Sequence, residues 1–239
     1  MKKLIIILLM LPFFAFSQDK KEPSLYEVFN MTVKQGQEDA YEAAVKAHNA
    51  KFHPEDGMYH ARLFYNLNGP SAFKYSWVMG PTNYGAMDNR PAKGAHDDDW
   101  AKVTAMVEHT DAPTYWMLDR ELSHLVDNDA HVKRIIWMYD VKSGEFETFK
   151  ELCAKVKKVY VEKRPTEGFV VVFNEFADTK AGMDAAILFP FDKWGWLDRE
   201  SNFKTHYEEV HGANSFEPFL KSFRSVINGR VDWMREMVE

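Results

Sequence analysis

Val33-Lys34-Gln35-Gly36 opens a helix-patterned run, and Val141-Lys142-Ser143-Gly144 opens another 108 residues further on. Pro54-Glu55-Asp56-Gly57 returns as Pro165-Thr166-Glu167-Gly168 at an offset of 111, and Tyr84-Gly85-Ala86-Met87-Asp88 returns as Trp194-Gly195-Trp196-Leu197-Asp198 at an offset of 110. Three blocks keep their order and nearly one offset. A repeat of that length is a small domain written twice, not a solenoid turn.

Each copy carries the same run of patterns. Leu25, Glu27, Phe29, Met31 and Val33 alternate with Tyr26, Val28, Asn30 and Thr32, which predicts a strand with one mostly apolar face. Gly36 marks a turn, and Gln37 to Phe52 lines up Tyr41, Ala44, Val45, His48 and Phe52 on one helical stripe. Met58 to Leu67 and Ala72 to Met79 flank Asn68-Gly69-Pro70 as a hairpin. A helix from about Asp97 to His109 and a strand at Thr114 to Leu118 complete the first copy. The second follows with a strand at Val132 to Val141, a helix at Glu145 to Glu162 and a hairpin of Phe169 to Phe176 and Met183 to Phe189. Helical stretches then lie at Trp194 and near Asn202 to His211, and a closing strand is read at Phe223 to Asn228.

Strand, helix, strand, strand, helix, strand is the ferredoxin-like order, an antiparallel sheet with its helices on one face. The other face is left open. In the first strand of each copy it carries Tyr26, Val28 and Asn30, or Arg134, Ile136 and Met138, and it needs a cover. The fold expected is therefore α+β: two tandem βαββαβ units, residues 24–126 and 131–235, packed sheet to sheet as an intrachain barrel, with Asp127-Asn128-Asp129 as linker. On element order, the repeated Val-Lys-x-Gly start and length, the chain resembles the dimeric α+β barrel superfamily. That group includes antibiotic-biosynthesis and haem-degrading monooxygenases, muconolactone isomerase-like proteins and tandem-domain chlorite dismutases. The resemblance implies this fold and a capacity for small apolar or aromatic ligands. It implies no catalytic residue, because no family motif is present.

The ends and composition set the context. Lys2 and Lys3, an apolar run from Leu4 to Phe16, and small residues at Ala15 and Ser17 predict a signal peptide over residues 1–17. The run is shorter than the roughly 20 residues of a spanning helix, so no stable membrane anchor is expected after processing. The protein is expected to be exported, either periplasmic or secreted. Losing Lys2 and Lys3 shifts the formal charge from −6 to −8, which gives no electrostatic reason to bind nucleic acid. Cys153 is the single cysteine, so no disulfide forms within the chain, and its helical stripe of Phe149, Leu152 and Val156 makes it a buried, inert thiol. The 7 Trp, 10 Tyr and 18 Phe serve two small cores first and supply rings for a pocket second.

Candidate chemistry comes from differences between the copies. His60 and Arg62 answer to Val171 and Phe173, and His48 answers to Val156. With Tyr75 and Trp77 on the hairpin partner, His60 and Arg62 give the composition of a small-ligand pocket. A solvated sheet edge would explain the same residues. His48 is expected to be a hydrogen-bonded core residue, or else an acid–base group at a cavity. Trp194, beside Trp196 and Phe189-Pro190-Phe191, reads as core packing or as a lid. His96 and His206 occupy matching positions near acids, and His211 lies three residues beyond Glu208. These four are the only residues that suggest a metal, and carboxylates at helix starts explain them without one. No metal and no cofactor are assigned. Haem, with His206 or His211 as axial ligand, is the cofactor to test. The sequence thus points to a protein that binds a small molecule. A cofactor-free monooxygenase or isomerase, or a haem protein, is the alternative reading, a ligand-free assembly role is a third, and a homo-oligomer is allowed.

Overall fold

A computed structural model describes residues 22–90, 93–126, 131–176 and 182–238. The signal peptide read at residues 1–17 and the linker at Asp127-Asn128-Asp129 lie outside the described residues. The first copy runs β1 (Leu25–Val33), α1 (Glu38–Phe52), β2 (Ala61–Asn66), β3 (Tyr75–Thr82), a short α2 (Tyr84–Asp88), α3 (Ala95–Thr104), β4 (Val107–Thr110) and β5 (Thr114–Leu118). The second runs β6 (Lys133–Val141), α4 (Phe146–Lys163), β7 (Val170–Asn174), β8 (Ala185–Phe191), a 3₁₀ turn (Trp194–Trp196), α5 (Phe203–His211), α6 (Phe216–Ser225) and β9 (Ile227–Met237).

The strand order within the copies is β5-β1-β3-β2 and β9-β6-β8-β7, with every pairing antiparallel. Two seams join the sheets. β2 pairs β9 through Phe64↔Met237, Tyr65↔Glu236 and Asn66↔Arg235, and β5 pairs β7 through Trp116↔Asn174, Met117↔Phe173 and Leu118↔Val172. Eight strands therefore close on themselves, and β4 adds to β1 outside the closed ring. Closure removes the edges that two separate four-stranded sheets would expose. An eight-stranded barrel also leaves an interior just wide enough for side chains to fill.

Alternation along β1 and β6 places the two faces as the pattern requires. Met31 and Val33 pack with Tyr41 and Val45 of α1, while Tyr139 and Val141 pack with Phe149 and Val156 of α4. The opposite face of β6 turns inward, where Ile136 and Met138 meet Trp116, Val172 and Ala186, with Tyr26 and Val28 of β1 against them. Cys153 is fully buried, and burial pushes its thiol pKa up, as suits an unreactive core residue.

The closing strands differ from the sequence reading. Val107 to Thr110 is strand, not helix. It pairs Met31↔Thr110 and Val33↔Val107, covering a stretch of β1 that β5 does not reach. Pro113, which has no N–H to donate, sits in the gap between β4 and β5. In the second copy Phe223 belongs to α6. Phe216, Phe219, Leu220 and Phe223 form its i, i+3, i+4, i+7 stripe, and the closing strand is the later β9. The β2–β3 turn meets β9 closely: Gly69 has φ +79°, and a Cβ there would lie 2.5 Å from Cβ of Trp233. Only glycine suits both demands.

Candidate functional site

Three regions collect chemistry: the barrel interior, the space under the helices of the second copy, and the matching space in the first. The interior holds only about 170 Å³. Arg62 and Phe64 of β2, Arg134 of β6 and Arg235 of β9 face it. Arg134 and Arg235 stand directly opposite each other across the β6–β9 ladder. Their guanidinium carbons lie 4.6 and 4.3 Å from the centre of the Phe64 ring, so one aromatic ring faces two cations. Burial, and secondarily the neighbouring Arg134, lower the Arg235 pKa to about 9. Although Arg235 as a residue keeps some exposure, its Nε is buried and lacks a hydrogen-bond partner among the described residues. A polar chain crosses the same interior: Asn66 donates to Ser76 Oγ at 2.8 Å, and Ser76 donates to Asn30 Oδ1 at 2.6 Å.

The space under α4, α5 and α6 is open. It holds about 510 Å³ between β6 and β8 on one side and Phe203, Phe219 and Phe223 on the other. Its rings are fixed by one another. Trp137 meets Phe189 edge-on at 4.6 Å, and Tyr160 stacks on Phe169 at 5.1 Å. Polar groups stand among these rings. Arg230 lies 4.2 Å from the Trp137 ring centre, Arg199 lies 5.2 Å from that of Trp196, and Arg164 donates to the Ser201 carbonyl at 2.7 Å. A cavity of this size, mostly ring-lined with a few oriented cations, has the make-up of a small-molecule site.

The matching space in the first copy contains histidines. His48 of α1 is fully buried, and its Nδ1 lies 2.9 Å from the Asp99 carboxylate of α3. His53 follows the end of α1 with φ −131° and ψ 50°, which turns it out of the helical path. Its Nδ1 lies 2.6 Å from the Tyr59 carbonyl, and its Nε2 lies 3.1 Å from Nε2 of His96. Phe52, Trp77 and Trp100 surround these rings. Burial lowers the pKa of His48, and that of His53 to about 4, favouring neutral imidazoles.

The structure separates residues that the sequence grouped. The β2–β3 ladder sets Leu63 opposite Trp77 and Tyr65 opposite Tyr75, so Tyr75 and Trp77 lie on the helix side while Arg62 faces the barrel interior. The expectation that they share a cavity face with His60 and Arg62 does not hold. Tyr75 donates to Glu42 at 2.6 Å and Trp77 donates to Asn49 Oδ1 at 3.0 Å. His60 precedes β2, and its carbonyl accepts from Gly80 N at 2.8 Å. Trp194 is 51% exposed, and its neighbour Trp196 lines the large cavity instead. His206, Glu208 and His211 do not converge on one point: His211 Nε2 lies 3.0 Å from the Lys155 carbonyl, and His206 Nδ1 is buried without a partner among the described residues. Of the four residues that suggested a metal, only His96 joins a group of three potential ligands among the described residues. The other two are His48 and His53, and His53 was not singled out by the sequence. Its spacing of five from His48 shares no helical face, so only the helix end brings the two together.

No protein-family model and no curated protein matches the chain. Solved structures do. A provisionally assigned monooxygenase from Fusobacterium nucleatum aligns at TM-score 0.57 and 12% identity, covering 90% of this chain and 92% of its own. A second provisionally assigned monooxygenase, from Lactobacillus acidophilus, aligns at 0.56 and 13%, covering 91% and 95%. A chlorite dismutase variant from Candidatus Nitrospira defluvii aligns at 0.53 and 11%, covering 91% and 92%. The fold is the tandem dimeric α+β barrel. At such identities the likeness concerns the fold and not the chemistry, so function rests on this chain's own residues.

Chlorite dismutases share the barrel, so whether the large cavity fits haem depends on the ligands in its lining. Its lining contains no histidine, cysteine or methionine among the described residues. Burial pushes the pKa values of its tyrosines, Tyr139 and Tyr160, up, against the phenolate that ligation would need. His206 and His211 lie outside the lining. The lining therefore offers haem no imidazole, thiolate or thioether ligand, and only these two phenols could take that place.

Proposed function

We propose that this protein binds a small aromatic or apolar molecule in the cavity beneath α4, α5 and α6, with Arg164, Arg199 and Arg230 receiving its polar or anionic end. One observation carries the reading. The second copy keeps about 510 Å³ open and ring-lined, whereas the first fills the equivalent layer with histidine and tryptophan side chains. A core of this protein's aromatic richness can close such a space, as the first copy does, and native interiors leave few voids unfilled.

The test uses 1-anilinonaphthalene-8-sulfonate, an aromatic anion whose emission rises in apolar surroundings. The native protein should bind it in a saturable one-to-one manner. Leu220→Trp, which fills the cavity from α6, should weaken that binding at least tenfold without unfolding the protein. Equal binding by both proteins would contradict the site.

A cofactor-free oxygenase or isomerase is the second reading, favoured by the monooxygenase assignments of two of the solved structures that share the fold. The cavity supports binding and orientation for such chemistry, but its lining offers no histidine as general base. We further propose that the protein is exported after cleavage before Gln18. The motive is the basic start and short apolar run of residues 1–17, and among the described residues no helix is long and apolar enough to cross a membrane. Sequencing of the protein from its host should begin near Gln18 or Asp19; an intact Met1 in a membrane fraction would refute processing. The barrel closes within one chain, so a homo-oligomer would have to form through its outer surface.

A further inference from the structure

We propose that the first copy is a metal site in which His48, His53 and His96 bind one divalent transition-metal ion through their ring nitrogens. One ring nitrogen of each lies within 4.8 Å of one from each of the others. Three imidazoles around a tetrahedral ion would sit about 3.3 Å apart, given metal–nitrogen bonds of about 2.0–2.1 Å. A short inward movement therefore forms the site.

The hydrogen bonds choose the tautomers that ligation needs at His48 and His53. The Tyr59 carbonyl only accepts, so His53 carries its proton on Nδ1 and its Nε2 accepts from Nε2–H of His96; on ligation that proton moves to Nδ1 of His96, which the Asp97 carboxylate faces at 3.6 Å. The Asp99 carboxylate likewise draws the proton of His48 to Nδ1. That leaves His48 Nε2 a bare lone pair, fully buried and without a hydrogen-bond partner among the described residues. An unpaired buried acceptor carries a cost. A cation removes that cost. A carboxylate and a backbone carbonyl behind the ligating imidazoles are the usual orienting partners of metal-bound histidine.

Burial is graded across the three. His48 and His53 are 0% and 7% exposed, while the His96 side chain is 36% exposed. His96 therefore gives the ion a path from solvent and leaves room for a fourth, exchangeable ligand. All-imidazole donors suit zinc, copper, nickel or iron rather than magnesium or calcium. This site is separate from the ring-lined cavity of the second copy and does not depend on it.

The test is direct. The whole chain, stripped with chelator, is titrated with Co²⁺ and Zn²⁺. One equivalent of Co²⁺ should give visible d–d absorption, and Zn²⁺ should displace it and raise the melting temperature. Asp99→Asn should weaken binding by about 10–100-fold. His96→Gln should abolish the d–d bands, and being half exposed it is the variant least able to disturb folding if His48→Ala does not fold. His109→Ala, at an exposed histidine outside the cluster, should change nothing. Absence of stoichiometric Co²⁺ binding, or bands of full strength in His96→Gln, would overturn the site.

Discussion

Phe64→Ala is expected to destabilise the protein by about 3–5 kcal/mol, the usual range for deleting a buried phenylalanine ring. Phe64 is 2% exposed and sits in β2 at the seam with β9. Three effects act together there. The ring fills the barrel interior, where closure leaves little space to relax. It faces the guanidinium groups of Arg134 and Arg235 from two strands of the other copy. Removing it also leaves these two neighbouring arginines without the ring's quadrupole to offset their mutual repulsion. Phe64→Leu keeps most of the volume and loses only the ring, so its cost should fall to about 1–2 kcal/mol. Chemical denaturation of the two variants separates packing from cation–π attraction. If Phe64→Ala unfolds at the same denaturant concentration as the native protein, the seam is not a cooperative part of the fold.

The second large effect belongs to Glu27. Its carboxylate is 3% exposed, and it is held by an ion pair from Arg90 and by the Tyr115 hydroxyl, which donates at 2.8 Å. Removing one partner from a buried charge leaves the other uncompensated, at a typical cost of about 3–5 kcal/mol. Because the Arg90 side chain is 43% exposed and water can approach, Arg90→Met should lie at the lower end, about 3 kcal/mol. Glu27→Gln in the Arg90→Met background should recover most of that loss, since an amide needs no counter-ion. A double-mutant cycle measured by urea unfolding gives the coupling. A coupling energy near zero would show that Tyr115 alone satisfies the carboxylate.

What was legible in the sequence follows from periodicity. Phe29, Met31 and Val33, and their counterparts Trp137, Tyr139 and Val141, alternate cleanly, and they lie under the helices as the alternation required. The helical stripes of α1 and α4 were equally plain, because both use i, i+4 spacing over several turns. Glu27 broke an otherwise apolar face, but Arg90, 63 residues away, carried no signal as its partner. The pattern also left the hairpin register open. A slip of one residue turns every side chain of a strand to the other face, and the Asn68-Gly69-Pro70 turn does not by itself fix the count. That is why Tyr75 and Trp77 were expected beside Arg62 and instead lie against the helices.

Two features of the candidate sites were not legible for other reasons. The cavity of the second copy is an absence of filling atoms. It depends on how α5 and α6 stand off the sheet, and Phe216, Phe219, Leu220 and Phe223 read equally as core. The histidine cluster needs His53, which reaches His48 only because the chain leaves helical geometry at that residue. His96 was noticed for its match to His206, yet the two have unlike surroundings, since His206 meets neither of the other candidate ligands on its helix. Duplication gave the copies one backbone plan, and the side chains filling the two helix layers then diverged.

The reading of the second-copy cavity as the ligand site is tested most directly by diffraction from crystals soaked in 1-anilinonaphthalene-8-sulfonate. The expected result is probe density among Trp137, Phe189 and Phe219, with the sulfonate toward Arg164, Arg199 or Arg230, and no density in the barrel interior. Probe bound only inside the barrel or only on the outer surface, with the cavity closed by its own side chains, would contradict it.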